Sequence, residues 1–158
     1  MIKELWNSIK DKIIFFDLDG TLSEYRFNNH VSGKNSWGGQ TFEELFFGDV
    51  FVSNRPLTTM VNLIKELDSN NIYVLGAITT NHEIEEKYEW LKRYYPTIKK
   101  ENIIFVAGSS LKLIAIQEYM KKFNMVKENI VFVDDKHETI REVEEAGFAS
   151  YHITSFME

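Results

Sequence analysis

The stretch IIFFDLDGTL, residues 13–22, runs four apolar side chains straight into two carboxylates one residue apart. A charge at the mouth of a buried strand is costly, so Asp17 and Asp19 need a reason to be there. Apolar runs of the same length recur along the chain: 12–19, 72–80, 102–108, 129–135 and, more weakly, 148–154. Their Ile, Val and Phe content suits strands buried on both faces, as in a parallel sheet. Between them the apolar spacing turns helical. Leu57, Met60, Val61, Ile64 and Leu67 form one stripe behind Pro56, and Ile84, Tyr88, Leu91 and Tyr95 form another. Leu113, Ile116, Met120 and Phe123 mark a third, and Ile140 and Val143 a fourth with Gly147 as its C-terminal cap. A short helix over 2–10 precedes them.

Strand and helix in alternation predict an α/β protein with a doubly wound, mainly parallel sheet flanked by helices. Ligands of such sheets bind beyond the carboxyl ends of the strands. The polar residues closing the runs are therefore the informative ones: Asp17 and Asp19, Thr79 and Thr80, Asp134 and Asp135. Gly20 allows a sharp turn after the first pair, and Thr21 can hydrogen-bond locally. One region is irregular. Residues 23–55 are rich in Asn, Gly and aromatics and too long for a plain connection, so they read as a flap or small cap inserted into a single domain spanning 1–158. Tyr25, Phe27, Trp37, Phe42, Phe46 and Phe47 in it either pack together or stack on a substrate ring.

The chain has 158 residues, 44% apolar and 14% aromatic, enough for a substantial core. Lys and Arg number 18 against 24 Asp and Glu, and the formal charge of −6 argues against general nucleic-acid binding. The absence of cysteine excludes disulfides and thiolate metal sites. The start, MIKELWNSIKDK, is too charged for a signal peptide, and no apolar run reaches membrane-spanning length. A soluble, cytoplasmic protein is the expectation. The Glu and Lys runs at 83–93 and 99–101 read as solvated faces, with Glu83–Lys87 and Glu89–Arg93 as i,i+4 pairs. His30, His82, His137 and His152 show no metal-ligand spacing and read as structural or surface residues.

If the sheet forms in this way, up to four acids meet at one edge. At ~4 Å and an effective dielectric near 20, each like-charge pair costs about 4 kcal/mol. A divalent cation relieves that, and oxygen-only ligation with open positions points to Mg²⁺. An acidic, metal-loaded pocket with hydroxyls and a lysine suits phosphoryl transfer, in which a carboxylate attacks phosphorus and a second one moves the proton.

DLDGT at 17–21 resembles the first motif of the haloacid dehalogenase (HAD) superfamily, in the D-x-D form of its phosphatases. Thr79-Thr80 resembles the second motif, Lys112 the third-motif lysine, and VFVDD at 131–135 the acidic fourth motif. The order is the family's, over about residues 12–153. The resemblance implies that Asp17 is nucleophile and metal ligand. It makes Asp19 the general acid/base, with its backbone carbonyl also on the metal. Thr79 or Thr80, together with Lys112, would bind the phosphoryl group. Asp135 would be the principal fourth-motif metal ligand, with Asp134 secondary. Either threonine fits the second motif, and Lys99, Lys100 and Lys136 can also be argued for the third. Taken alone, Asp134-Asp135 would suit a loop or a helix cap.

EKYEWLKRYYP at 86–96 is similar to a stretch in the 5′(3′)-deoxyribonucleotidase branch of that superfamily, although 23–55 is shorter than the branch's helical cap. A reduced cap leaves a pocket open to larger substrates or completed by a neighbouring copy in a homo-oligomer. The expected activity is Mg²⁺-dependent hydrolysis of a small phosphate monoester, nucleotides included, through an aspartyl-phosphate. Two other readings stand beside it. One is a phospho-acceptor signalling domain of the receiver type, which would carry its acceptor Asp at the end of the third strand, where IIFVAG at 103–108 offers none. The other is a catalytically idle binding module on the same fold. Dehalogenation needs no acid two residues after the nucleophile, and Asp19 supplies one.

Overall fold

A computed structural model describes residues 2–24 and 54–157. The flap expected over 23–55, with the six aromatics named above and His30, lies outside the described residues except at its two ends. The order is α1 (Ile2–Ile9), β1 (Ile13–Phe16), α2 (Thr58–Ile64), β2 (Ile72–Ala77), α3 (His82–Tyr94), β3 (Ile103–Val106), α4 (Lys112–Lys122), β4 (Ile130–Asp134), α5 (His137–Glu145) and β5 (Ala149–His152). The five strands form one parallel sheet in the order β3-β2-β1-β4-β5. Each strand predicted from an apolar run is present, shortened at its ends. Lys-Glu-Asn-Ile occurs at 100–103 and again at 127–130, each time as a single 3₁₀ turn leading into a strand.

Both faces of the sheet are covered. Ile14, Phe16, Val74, Val131 and Val133 point into one apolar cluster, with Trp6 and Ile9 of α1, Met60 and Ile64 of α2, and Trp90 and Leu91 of α3. Phe15, Tyr73, Leu75, Ile130 and Phe132 point the other way, onto Ala115 and Ile116 of α4 and Val143 of α5. This strict alternation of two apolar faces explains why the runs are continuous and not interleaved with polar residues. Phe15, Phe16, Val74, Leu75 and Phe132 are wholly inaccessible to solvent.

Gly147 closes α5 as expected. Its φ of 93° is left-handed, its N–H donates to the Glu144 carbonyl, and the Phe148 N–H donates to the Val143 carbonyl. Asn124, with φ of 53°, ends α4 in the same manner. Among the described residues no helix is long and apolar enough to cross a membrane.

Helix α3 departs from the expected pattern. Its buried residues are Glu83, Lys87, Trp90 and Leu91, so the inward face is turned by about one residue from the stripe Ile84, Tyr88, Leu91. Glu83 is 7% and Lys87 2% exposed, which overturns their assignment to a solvated face. The i,i+4 pair does form, at 3.2 Å, but inside the protein. Periodicity finds apolar faces, and a helix that buries charges for their partners escapes it.

The same helix, with Tyr95 just past its end, also holds the chain around the D-x-D turn. Trp90 Nε1 donates to the Asn54 carbonyl at 3.0 Å, and Tyr95 Oη donates to the Leu22 carbonyl at 2.7 Å. Glu24 and Arg55, which flank the inserted segment, are bonded to each other: the Glu24 N–H donates to the Arg55 carbonyl, and the Arg55 N–H donates to Glu24 Oε1.

Candidate active site

Register brings the acids together. Phe16 of β1 pairs with Val133 of β4, so the next residues, Asp17 and Asp134, emerge side by side, and the Asp17 N–H extends the ladder to the Val133 carbonyl at 2.9 Å. The chain winds from β1 through β2 to β3 in one direction, then crosses back to β4 on the other side of β1. The β1–β4 boundary is thus the switch point of the sheet, where parallel α/β folds open a crevice. Carboxylate oxygens of Asp17, Asp134 and Asp135 lie within 4.8 Å of one another.

One cation serves this junction from α4. Lys112 Nζ donates to Asp17 Oδ1 at 2.5 Å and to Asp134 Oδ2 at 2.8 Å, with all three side chains buried. An ammonium in the first turn of a helix opposes the helix dipole, and the two carboxylates offset that. Thr21 Oγ1 donates to Asp17 Oδ2 at 3.2 Å, the local bond expected of it. Asp134 Oδ1 accepts from the N–H groups of Asp135 and Lys136, at 2.7 and 2.9 Å. The other lysines considered for this position lie elsewhere: Lys136 donates to Ser109 Oγ at 2.8 Å, Lys99 to Asn70 Oδ1, and Lys100 sits over the Tyr88 ring.

Asp19 does not join the three acids. β1 ends at Phe16, and the chain turns through Gly20 (φ 83°), so the D-x-D pair lies on the turn beyond the strand and not on the strand itself. The Asp19 carboxylate is held by Lys87 Nζ at 2.9 Å. This lysine was missed because an i,i+4 partner on its own helix gave it a sufficient surface role. The available signal was EKYEWLKRYYP, whose similarity to a nucleotidase stretch covers Lys87, Trp90 and Tyr95.

β2 ends at Ala77, so Thr79 and Thr80 also stand past their strand, the first exposed and the second half-buried. Their N–H groups both donate to Glu83 Oε2, at 2.6 and 2.7 Å. Two amides that converge on one carboxylate oxygen form an anion-accepting corner. His152 braces the far side: its Nε2 lies 2.9 Å from the Asp135 carbonyl, and its ring stacks on His137 at 4.9 Å.

Burial pushes the Asp17 carboxyl well above the ordinary range, opposed by Lys112 and reinforced by Asp134 and Asp19. Burial, with the hydrogen bond to Asp134 and its charge, raises Asp135 to about 6. For Lys112, burial lowers the proton affinity, but Asp17 and Asp134 outweigh it and keep the ammonium charged. The same balance, with Asp19 and Glu83 as the anions, holds for Lys87.

The junction fits a hard divalent cation, since its donors are all carboxylate oxygens and both Asp17 and Asp135 bind protons more tightly than isolated acids do. A proton held at about pH 6 must leave before a metal binds. Affinity for a divalent cation such as Mg²⁺ should therefore fall as pH drops through 6, by up to about tenfold per unit for each proton displaced. Calorimetry at pH 5.5 and 7.5, in buffers of different ionisation enthalpy, reads both affinity and proton release. In the metal-free protein the sign is the complementary one. The folded state binds this proton more tightly than the unfolded chain, so Asp135 withdraws stability as pH rises from about 4 to 6.

Fold and junction together define a class: α/β proteins with clustered acids at the switch point of a parallel sheet. Solved structures of similar shape give the class its relatives. A haloacid dehalogenase-like family hydrolase from Streptococcus pneumoniae matches with a TM-score of 0.58 at 15% identity, over 89% of this chain and 83% of its own. The N-terminal part of a Bacteroides fragilis protein, containing a phosphatase domain and complexed with Mg, matches with a TM-score of 0.51 at 17% identity, over 96% of this chain and 38% of its own. The HAD domain of effector protein Lem4 from Legionella pneumophila matches with a TM-score of 0.51 at 15% identity, over 90% of this chain and 84% of its own. No family model matches the sequence, and no curated protein does. At these identities the likeness is one of fold, and the fold is that of HAD-like hydrolase domains.

Proposed function

We propose that this protein is a Mg²⁺-dependent phosphatase that hydrolyses a phosphate monoester through an aspartyl-phosphate on Asp17. The observation that carries the reading is the buried junction in which Lys112 joins Asp17 to Asp134, with Asp135 beside them. Asp17, Asp135 and, behind them, Asp134 would hold the ion, with the backbone carbonyl of Asp19. When bound, the ion offsets negative charge on the acids and on the phosphoryl oxygens.

Each residue then has a role. An Asp17 oxygen attacks phosphorus while the bond from phosphorus to the leaving oxygen breaks, and the Asp19 carboxyl gives that oxygen its proton. Water attacks the aspartyl-phosphate next and loses a proton to Asp19. The bond from phosphorus to the Asp17 oxygen breaks, and inorganic phosphate departs with both acids restored. Lys112 faces the charge that builds on the phosphoryl oxygens, and Thr79 or Thr80 fixes their orientation. Nucleotides belong among the candidate substrates because of the 86–96 stretch.

Phosphate release from p-nitrophenyl phosphate and a panel of monoesters, nucleoside monophosphates included, tests this. Turnover should require Mg²⁺ and stop with EDTA. Stable phosphoprotein without turnover would instead mark a phospho-acceptor domain, and metal binding without either reaction an idle module.

A further inference from the structure

The buried Lys87 has no part in this chemistry as so far assigned, and its surroundings suggest one. Its Nζ lies 2.9 Å from Asp19 Oδ2, 3.2 Å from Glu83 Oε1 and 3.3 Å from the Ala77 carbonyl, acceptors among the described residues for the protons of an ammonium. Glu83, in turn, accepts the Thr79 and Thr80 amides through its other oxygen. A continuous polar chain thus runs from the loop after β2, through the first two turns of α3, to the second carboxylate of the D-x-D turn.

The geometry points to Lys87 as a positioning residue for Asp19, setting which carboxyl oxygen is presented to the leaving group and the incoming water. The inference rests on the phosphatase reading and deepens it. Packing alone does not account for this lysine. A buried ammonium must give up its hydration, and an apolar side chain of similar length would fill the same space without that penalty. Its partner Asp19 is 31% exposed and stands at the site, where a fold-stabilising charge is least needed. Among the described residues, Asp19 Oδ1 has no hydrogen-bond partner, so with Oδ2 anchored it is the oxygen left to exchange a proton. A carboxyl on a turn next to glycine would otherwise rotate, and misplacement by about 1 Å can cost 10²-fold in rate.

Lys87→Met is the test, read as kcat/KM on two esters with Mg²⁺ present. An alkyl phosphate leaves as a strong base and needs the proton from Asp19, whereas p-nitrophenolate leaves without it. The variant should lose at least about tenfold more on the alkyl phosphate than on p-nitrophenyl phosphate. It should lose nothing further when combined with Asp19→Asn, because both changes act through one group. Equal losses on the two esters, or additive losses in the double variant, would assign Lys87 to structure and overturn the inference. Should methionine prevent folding, Lys87→Arg keeps the charge with altered reach. It should show the same skew at smaller amplitude, and a uniform loss there is equally fatal. Wild-type protein inactive on both esters would remove the phosphatase reading itself, which separates the two failures.

Discussion

Asp17→Asn should reduce Mg²⁺-dependent phosphate release by at least about 10³-fold, the scale expected when a nucleophile is removed. The amide is nearly isosteric and its environment tolerates it. Lys112 keeps Asp134 at 2.8 Å and can donate to the amide oxygen, Thr21 Oγ1 can accept from the amide NH2, and the backbone ladder to Val133 is unaffected. Burial works against the Asp17 charge, so the substitution relieves desolvation while giving up the ion pair with Lys112, which keeps Asp134 as its partner. A retained fold, read as an unchanged circular-dichroism spectrum and cooperative melting, should accompany the loss of activity. Acid quenching during turnover should trap phosphate on the wild-type protein and none on the variant. Comparable turnover by the variant would mean that Asp17 is not the nucleophile.

Lys112→Met acts on stability as well as on rate. Methionine matches the stem in length, but it leaves Asp17 and Asp134 buried without their shared cation. Breaking a buried ion pair by removing one partner destabilises by about 3–5 kcal/mol. The metal-free variant should therefore unfold at clearly lower urea concentration. Mg²⁺ should restore part of the difference, since a ligand at 100 times its dissociation constant contributes about 2.7 kcal/mol. Activity should stay low even when the fold recovers, because a cation no longer faces the phosphoryl oxygens. Urea melts with Mg²⁺ and with EDTA separate these effects, and an unchanged metal-free midpoint would show that the junction does not depend on Lys112.

The strands were legible because each is buried on both faces. A strand such as Ile130–Asp134 must be apolar throughout, and unbroken runs of Ile, Val and Phe are seldom found in solvent-facing elements. The acids were legible for a related reason. A carboxylate that ends such a run stands out against its neighbours, and Asp17 and Asp134 each do so in one residue. Helix α3 was misread on one face. Glu83 and Lys87 satisfy a surface i,i+4 pattern as well as a buried one, and nothing local distinguishes the two.

By itself, then, the chain of side chains determined the parallel sheet, its helical connections and three of the four acids expected to cluster, since these follow from burial and from neighbours close in sequence. Tertiary structure decided the pairing of acids with cations. Lys112 lies 95 residues from Asp17, and Lys87 lies 68 from Asp19. Contacts at such separations depend on strand order and register, which bring β1 against β4 and α3 over the D-x-D turn. Only once those are set do Asp17 and Asp19, two residues apart, face different lysines.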